Sequence, residues 1–204
     1  MFGITDYGAF LVAILLFLFL PGPGNLALLS ATGKGGIRGG LGAALGLLAG
    51  DQILIWLAVA GVAALLAAHP TLFHGMRWLG AAYLAWLGLR LILARPGSAP
   101  VLQMRPRHYF RQALVITLLN PKAIIFYMAF FPLFIDPARH QGGLTFVAMA
   151  LSVALLTLIY CLVMILLVHH LAARLRASPR LGQILEKATG LLLVGFSLRL
   201  AQNG

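Results

Sequence analysis

Acidic residues are nearly missing from this chain. Its 204 residues include only Asp6, Asp51, Asp136 and Glu186 as acids. Charged residues of both signs make up 9%, where an ordinary soluble domain carries about 25%. A folded soluble chain needs polar residues for its surface, so a soluble globular enzyme is excluded. Cysteine is almost absent too. Cys161 stands alone, which excludes an intrachain disulfide and argues against a cysteine-built metal site. It lies in an apolar run and reads as a small buried hydrophobe. No H-E-x-x-H zinc motif and no G-x-S-x-G nucleophile elbow occurs. An intramembrane aspartyl protease would need two neighbouring acids sharing a proton, and Asp136 falls too near a span end to partner Asp51. The histidines fall on two sides of the chain's apolar runs, with His69, His74 and His140 apart from His108, His169 and His170. They form no ligand set. Neither an enzyme nor a metal or other cofactor is expected.

What fills the chain instead is apolar: 61% of residues are hydrophobic and the mean hydropathy is +0.98. The same numbers exclude disorder. A membrane-spanning helix needs about 20 mostly apolar residues. Runs of that kind cover 8–32, 41–67, 71–94, 110–135, 144–168 and 182–201. The third and sixth are bracketed by Arg77 and Arg90, and by Lys187 and Arg199, long side chains that can snorkel to the interface. The N-terminus lacks a basic segment and a small-residue cleavage site, so it does not read as a removable signal peptide.

One Pro/Gly/Ser-rich linker, 96–108, divides the chain into a first unit, 1–95, and a second, 109–204. The units echo each other. Leu20-Pro-Gly-Pro-Gly-Asn25 sits in run one, and Leu119-Asn-Pro-Lys-Ala123 in run four. Run three ends Gly88-Leu-Arg-Leu91, and run six Ser197-Leu-Arg-Leu200. Three spans per unit orient the two halves oppositely, the inverted repeat of many transporters. The expected fold is therefore an all-α polytopic membrane protein. It has six transmembrane helices as two inverted three-helix repeats, with helices 1 and 4 broken at proline motifs.

The net charge of +11 suggests nucleic acid only until the basic residues are mapped. Eleven of the fifteen flank the loops after runs one, three and five, while Arg77, Arg139 and Arg199 lie on the other side. By the positive-inside rule the basic loops are cytoplasmic and both termini outside. The charge reports orientation in a lipid bilayer, not a nucleic-acid partner.

Proline in a helix removes a backbone hydrogen bond and clashes with the carbonyl four residues earlier. Breaks at Pro21/Pro23 and at Pro121 free polar backbone groups, which membrane depth tolerates only beside protein or a watery cavity. In opposed halves both restarted helices direct their N-termini toward the membrane centre. Such ends carry partial positive charge and unpaired N–H groups, and suit a carboxylate. Pro21, Gly22, Pro23, Gly24, Asn25, Asn120, Pro121 and Lys122 are the candidate substrate-binding residues. The two asparagines either bind substrate or cap the restarted helices.

Asp51 lies within an apolar run, where an acid costs about 2.5–3.5 kcal/mol on insertion scales. It is either half of an ion pair with Lys122 or a proton carrier and ligand for an ammonium group. Gly42, Gly46 and Gly50 precede it at four-residue spacing, the pattern that lets helices pack closely. Asp136 ends run four and reads as a solvated helix end or a second proton-coupling residue. Phe126, Tyr127, Phe130 and Trp56 either line an apolar side-chain pocket or pack.

The ordered set resembles the lysine exporter family. It comprises Pro21-Gly-Pro-Gly-Asn25, Gly50-Asp51 followed by Ala60-Gly-Val-Ala63, Trp78-Leu-Gly-Ala-Ala-Tyr-Leu-Ala-Trp-Leu-Gly88, Asn120-Pro-Lys-Ala123, Phe131-Pro-Leu-Phe-Ile-Asp136 and Val194-Gly-Phe-Ser-Leu-Arg-Leu-Ala201. The homoserine/threonine-efflux branch, with its leucine exporters, is nearest. The resemblance implies export of an amino acid across the bacterial inner membrane, driven by an ion gradient and taken here to be protons. It places the family's binding residues on Pro21–Asn25 and Asn120–Lys122, and its aspartates on Asp51 and Asp136. A divalent-cation exporter of related fold is the alternative. Oligomeric state, a homo-oligomer included, stays open.

Overall fold

In the computed structural model, residues 3–20, 22–68, 104–135 and 141–175 are described, with Ala82, Ala85, Trp86, Leu89 and Leu93. Side chains of 62–68 and 171–175 are not. Run six, the rest of run three, Pro21, Asp136 and most of the 96–108 linker lie outside the described residues.

Five helices are described. The first, α1, spans Tyr7–Phe19. Asp6 starts it as N-cap, its carboxylate accepting from the Ala9 N–H at 2.9 Å. The next helix, α2 (Pro23–Ala68), opens on a proline, whose missing N–H costs nothing at a first position. It breaks at Gly36, at φ 60 and ψ −154. The chain turns back there: a Cβ on Gly39 would strike the Ala31 carbonyl, and one on Gly40 would meet the Thr32 hydroxyl and Ile165. So α2 is two antiparallel arms in tight contact. Gly36 occupies a region open essentially only to glycine. We expect Gly36→Ala to cost about 1–3 kcal/mol, read as a lowered thermal midpoint in detergent. Gly33→Ala, where nothing among the described residues lies within 4 Å of the added carbon, is expected to cost none.

Helix α3 spans Tyr109–Leu118 and α4 spans Pro121–Phe134, bent 57° from it. Pro121 stands at the first turn of α4 under the cap Asn120, whose side chain accepts from the Lys122 N–H at 3.1 Å. Last comes α5, Gly143–Leu175, a 33-residue helix. Leu151, Leu155, Ile159 and Leu166 stand exposed along it, as a lipid-facing surface requires. Among the described residues, Pro23–Gly61 and Gly143–His170 are long and apolar enough to cross a membrane. The bent pair α3/α4 makes a third when taken as one span.

Packing sets the helix directions. Aromatic contacts Phe10–Phe134 (5.4 Å), Phe10–Phe130 (5.5 Å) and Phe17–Phe126 (3.6 Å) run α1 antiparallel to α4. The Thr5 N–H donates to the Phe134 carbonyl at the end of that ladder. Phe126, Tyr127 and Phe130 thus belong to a packed aromatic core, and Trp56 faces outward at 45% exposure, so these four do not line the cavity described below. The glycines of the second α2 arm take α3 side by side and parallel. Gly42 faces Tyr109, Gly46 faces Phe110 and Ala113, and Gly50 faces Thr117. That arm runs antiparallel to α5, through Gly40 with Ile165 and through the Gln52 amide donating to the Ala150 carbonyl at 3.1 Å.

These directions bring the Gly36 turn and the start of α3 to one end of the molecule. Lys34 Nζ donates to the Met104 carbonyl there at 3.3 Å. Lys34, Arg38, Arg105, Arg107 and Arg111 gather at that end, and Asp6 lies at the other.

Candidate functional site

The two breaks meet in space. Where α1 stops, the Leu18 and Leu20 carbonyls have lost their helical donors. Asn25, two residues into α2, reaches back to both. Its Nδ2 donates to Leu18 O at 2.8 Å and to Leu20 O at 2.9 Å. From the other break Lys122 Nζ donates to the same Leu20 carbonyl at 3.0 Å, and lies 5.1 Å above the Phe17 ring. One carbonyl is therefore shared between a donor five residues away and a donor 102 residues away in sequence, and it ties break to break.

The two asparagines have separated roles. Asn120 caps α4. Asn25 does not cap the helix it belongs to; its amide holds the end of the preceding one. The amide donors of Asn25 are spent on the protein, which leaves its carbonyl oxygen for a ligand. Gly22 and Gly24 leave room at the first break. A Cβ on Gly22 would sit 3.2 Å from Lys122 Nζ, and one on Gly24 would sit 3.2 Å from Leu47.

Beside the breaks lies a cavity of about 60 Å³. Of the predicted binding residues, Gly22, Gly24, Asn25, Asn120 and Lys122 line it, and so does Asp51. Pro23 and Pro121 start the helices whose first turns border it. Pro21 and Asp136 fall outside the described residues. The volume holds several waters by the usual measure, and a branched side chain needs the walls to part.

Asp51 is buried, at 8% exposure, on the second arm of α2. The glycine face explains how it gets there. Gly46 and Gly50 press that arm onto α3, and the next residue turns toward the interior, not toward lipid. Its carboxylate interacts electrostatically with the Tyr127 hydroxyl and the Cys161 thiol. A buried acid and a half-buried ammonium thus border one cavity, beside two helix starts where first-turn N–H groups lack an intrahelical acceptor. The arrangement can hold a zwitterion, a carboxylate at the helix starts and an ammonium at the acid.

Sequence reasoning missed part of this wall. Thr157, Tyr160 and Cys161 of α5 line the cavity, with Phe17, Leu47 and Thr117. Cys161 is buried, as expected of a small hydrophobe, yet it borders the cavity. The available signal was the spacing of Thr157, Tyr160 and Cys161, which puts three polarisable groups on one face of an otherwise apolar helix. Among the described residues no three His, Cys, Asp or Glu side chains converge as metal ligands would.

Broken antiparallel helices, lipid-facing surfaces and a polar intramembrane cavity define a multi-pass membrane protein of the transporter class. Residues 15–204 match the LysE type translocator family, and the chain belongs to it. It is a transporter, not an enzyme. Similar proteins include the leucine efflux protein of Salmonella choleraesuis, 36% identical over 98% of this chain and 96% of that one. The leucine efflux protein of Enterobacter sp. strain 638 is 37% identical over 98% of this chain and 97% of its own. An uncharacterized membrane protein of Pseudomonas aeruginosa is 37% identical over 98% and 96%. No solved structure matches significantly.

Proposed function

We propose that this protein exports a neutral amino acid, branched-chain such as leucine or else homoserine or threonine, from the cytoplasm across the bacterial inner membrane. The observation that carries the reading is the pairing of Lys122 and Asp51 on one cavity at two helix breaks. Relatives named for leucine efflux support the neutral, apolar choice. The antiparallel pairs α1/α4 and α2 second arm/α5 are those that two inverted three-helix repeats would generate. The end bearing Lys34, Arg38, Arg105, Arg107 and Arg111 faces the cytoplasm under the positive-inside rule.

The substrate carboxylate displaces the Leu20 carbonyl from Lys122 and takes the uncapped first-turn N–H groups of α2 and α4. The substrate ammonium lies at Asp51. A proton arriving from outside neutralises Asp51, removes the ammonium's partner and favours release; its return to the cytoplasm resets the site. One charge moving down the membrane potential yields about 2.3 kcal/mol per 100 mV, more than the roughly 1.4 kcal/mol of a tenfold gradient. Asp136 serves the same proton path at the outer end of run four.

Cells fed leucine-, threonine- and lysine-containing dipeptides, with and without this protein, test the proposal. Branched-chain amino acids are expected outside the expressing cells, and lysine is not. No difference for any amino acid across the panel would overturn the reading. Increased resistance to divalent cations instead would favour the cation-exporter alternative.

A further inference from the structure

We infer that the Thr157 hydroxyl is a substrate ligand that accepts a hydrogen bond from the ammonium group of the transported amino acid, beside the Asp51 carboxylate. The inference rests on the proposed function and names a group that recognises its substrate.

Five Ser and Thr hydroxyls on the described helices are buried. Thr145 accepts from the Gln141 N–H at 2.9 Å, and three others are engaged in the way helices ordinarily impose. Thr32 donates to the Leu28 carbonyl at 2.8 Å, Thr117 to the Ala113 carbonyl at 3.0 Å, and Ser152 to the Ala148 carbonyl at 2.6 Å. Each is the bond to the carbonyl four residues earlier, open to any Ser or Thr inside a helix. Thr157 departs from it. It is 2% exposed, and its Oγ1 makes no hydrogen bond among the described residues. An unpaired buried hydroxyl is a net loss to the folded state. This one also lines the cavity, as Tyr160 of the same helix does.

Its surroundings select the ligand. Cys161, one helical turn further along the same face, interacts electrostatically with Asp51. Tyr127, also buried, brings a second hydroxyl to Asp51, and that hydroxyl too has no hydrogen-bond geometry to any partner. A buried carboxylate repels a second carboxylate and attracts a cation. An ammonium offers three N–H donors, and the Asp51 carboxylate and the Thr157 hydroxyl both line the cavity as acceptors. The substrate carboxylate is left to Lys122 and the helix starts. Recognition of the ammonium by a neutral hydroxyl survives protonation of Asp51. Protonation therefore leaves the ammonium with neutral acceptors alone, a weaker hold that lets it leave.

The test uses the whole protein reconstituted in liposomes, with leucine counterflow as the readout. Thr157→Val keeps the side-chain shape and removes the oxygen, and Thr157→Ser keeps the oxygen. The half-saturating leucine concentration is expected to rise about tenfold in Thr157→Val, the size of one lost hydrogen bond to a charged group. Maximal rate should change little, and Thr157→Ser should stay near wild type. Competition by 2-hydroxy-4-methylpentanoate, which has a hydroxyl where leucine has its ammonium, separates recognition from packing. In the wild type it should compete far more weakly than leucine, and in Thr157→Val that gap should narrow. An unchanged half-saturation in Thr157→Val, or an equal loss in Thr157→Ser, overturns the inference and leaves the proposed function standing. A wild-type protein that exchanges no amino acid overturns both.

Discussion

Asp51→Asn is expected to reduce uphill amino-acid efflux to the level of vesicles lacking the protein. The side chain is matched in size, so the cavity wall is kept. What is lost is the exchangeable proton and the negative charge facing the ammonium. Removing a buried acid also removes a cost of about 2.5–3.5 kcal/mol on insertion scales. The variant should therefore express and melt at or above the wild-type temperature. The expected signature is thus a protein at least as stable as wild type that cannot couple. Inside-out vesicles with an imposed pH gradient, matched for protein content, give the measurement. Asp51→Glu should retain part of the coupled flux, because the longer acid still titrates. Unchanged uphill efflux in a well-expressed Asp51→Asn variant would sink the coupling scheme and send the proton elsewhere, with Asp136 the first place to look.

Much of this site could be read from the sequence because its causes are local. Proline lacks an N–H wherever it stands, so restarts near Pro23 and at Pro121 follow from the residues themselves. Asp51 is conspicuous because an acid in an apolar run has to be accommodated somehow. Asn25 and Asn120 look alike in sequence, both beside a proline break, and only tertiary geometry divides them. Asn120 precedes its helix and caps it. Asn25 is already inside α2 and its amide falls against the carbonyl ends of α1. The partner of Lys122 was not legible either, since a main-chain carbonyl 102 residues away leaves no mark on its own side chain. Thr157 was missed for a third reason. A threonine in an apolar helix ordinarily satisfies itself, and the failure of that bond is invisible until the helix is built. The aromatic run 126–130 pointed both to pocket and to packing. The fit of Phe17 on Phe126 decides for packing.

The glycine series was legible as a packing face but not by partner, and that partner makes Gly46 the most sensitive structural position. A Cβ there would strike the Phe110 carbonyl oxygen, with Ala113 Cβ and the Leu114 nitrogen both at 3.0 Å. Two of these three atoms are backbone, so no rotamer change relieves the contact and α3 must move away as a body. Overpacking of this kind costs typically about 1–3 kcal/mol, and with rigid neighbours Gly46→Ala belongs at the upper end. The cost works against the propensity scale, on which alanine favours a helix over glycine by about 1 kcal/mol. Gly61→Ala, where nothing among the described residues lies within 4 Å, should show that gain or no change. Thermal unfolding in detergent should therefore move in opposite directions for two identical chemical changes on one helix. Function should follow the same split. Gly46 lies one turn before Gly50, and Gly50 packs on Thr117, which lines the cavity with Asp51. Pushing α3 away from Gly46 carries Thr117 and the Asn120–Lys122 break away from Asp51. The two ends of the zwitterion site then separate, and Gly46→Ala should lose leucine binding even at temperatures where it remains folded. Equal melting temperatures for Gly46→Ala and Gly61→Ala would show that the second arm of α2 does not rest on α3 through this glycine.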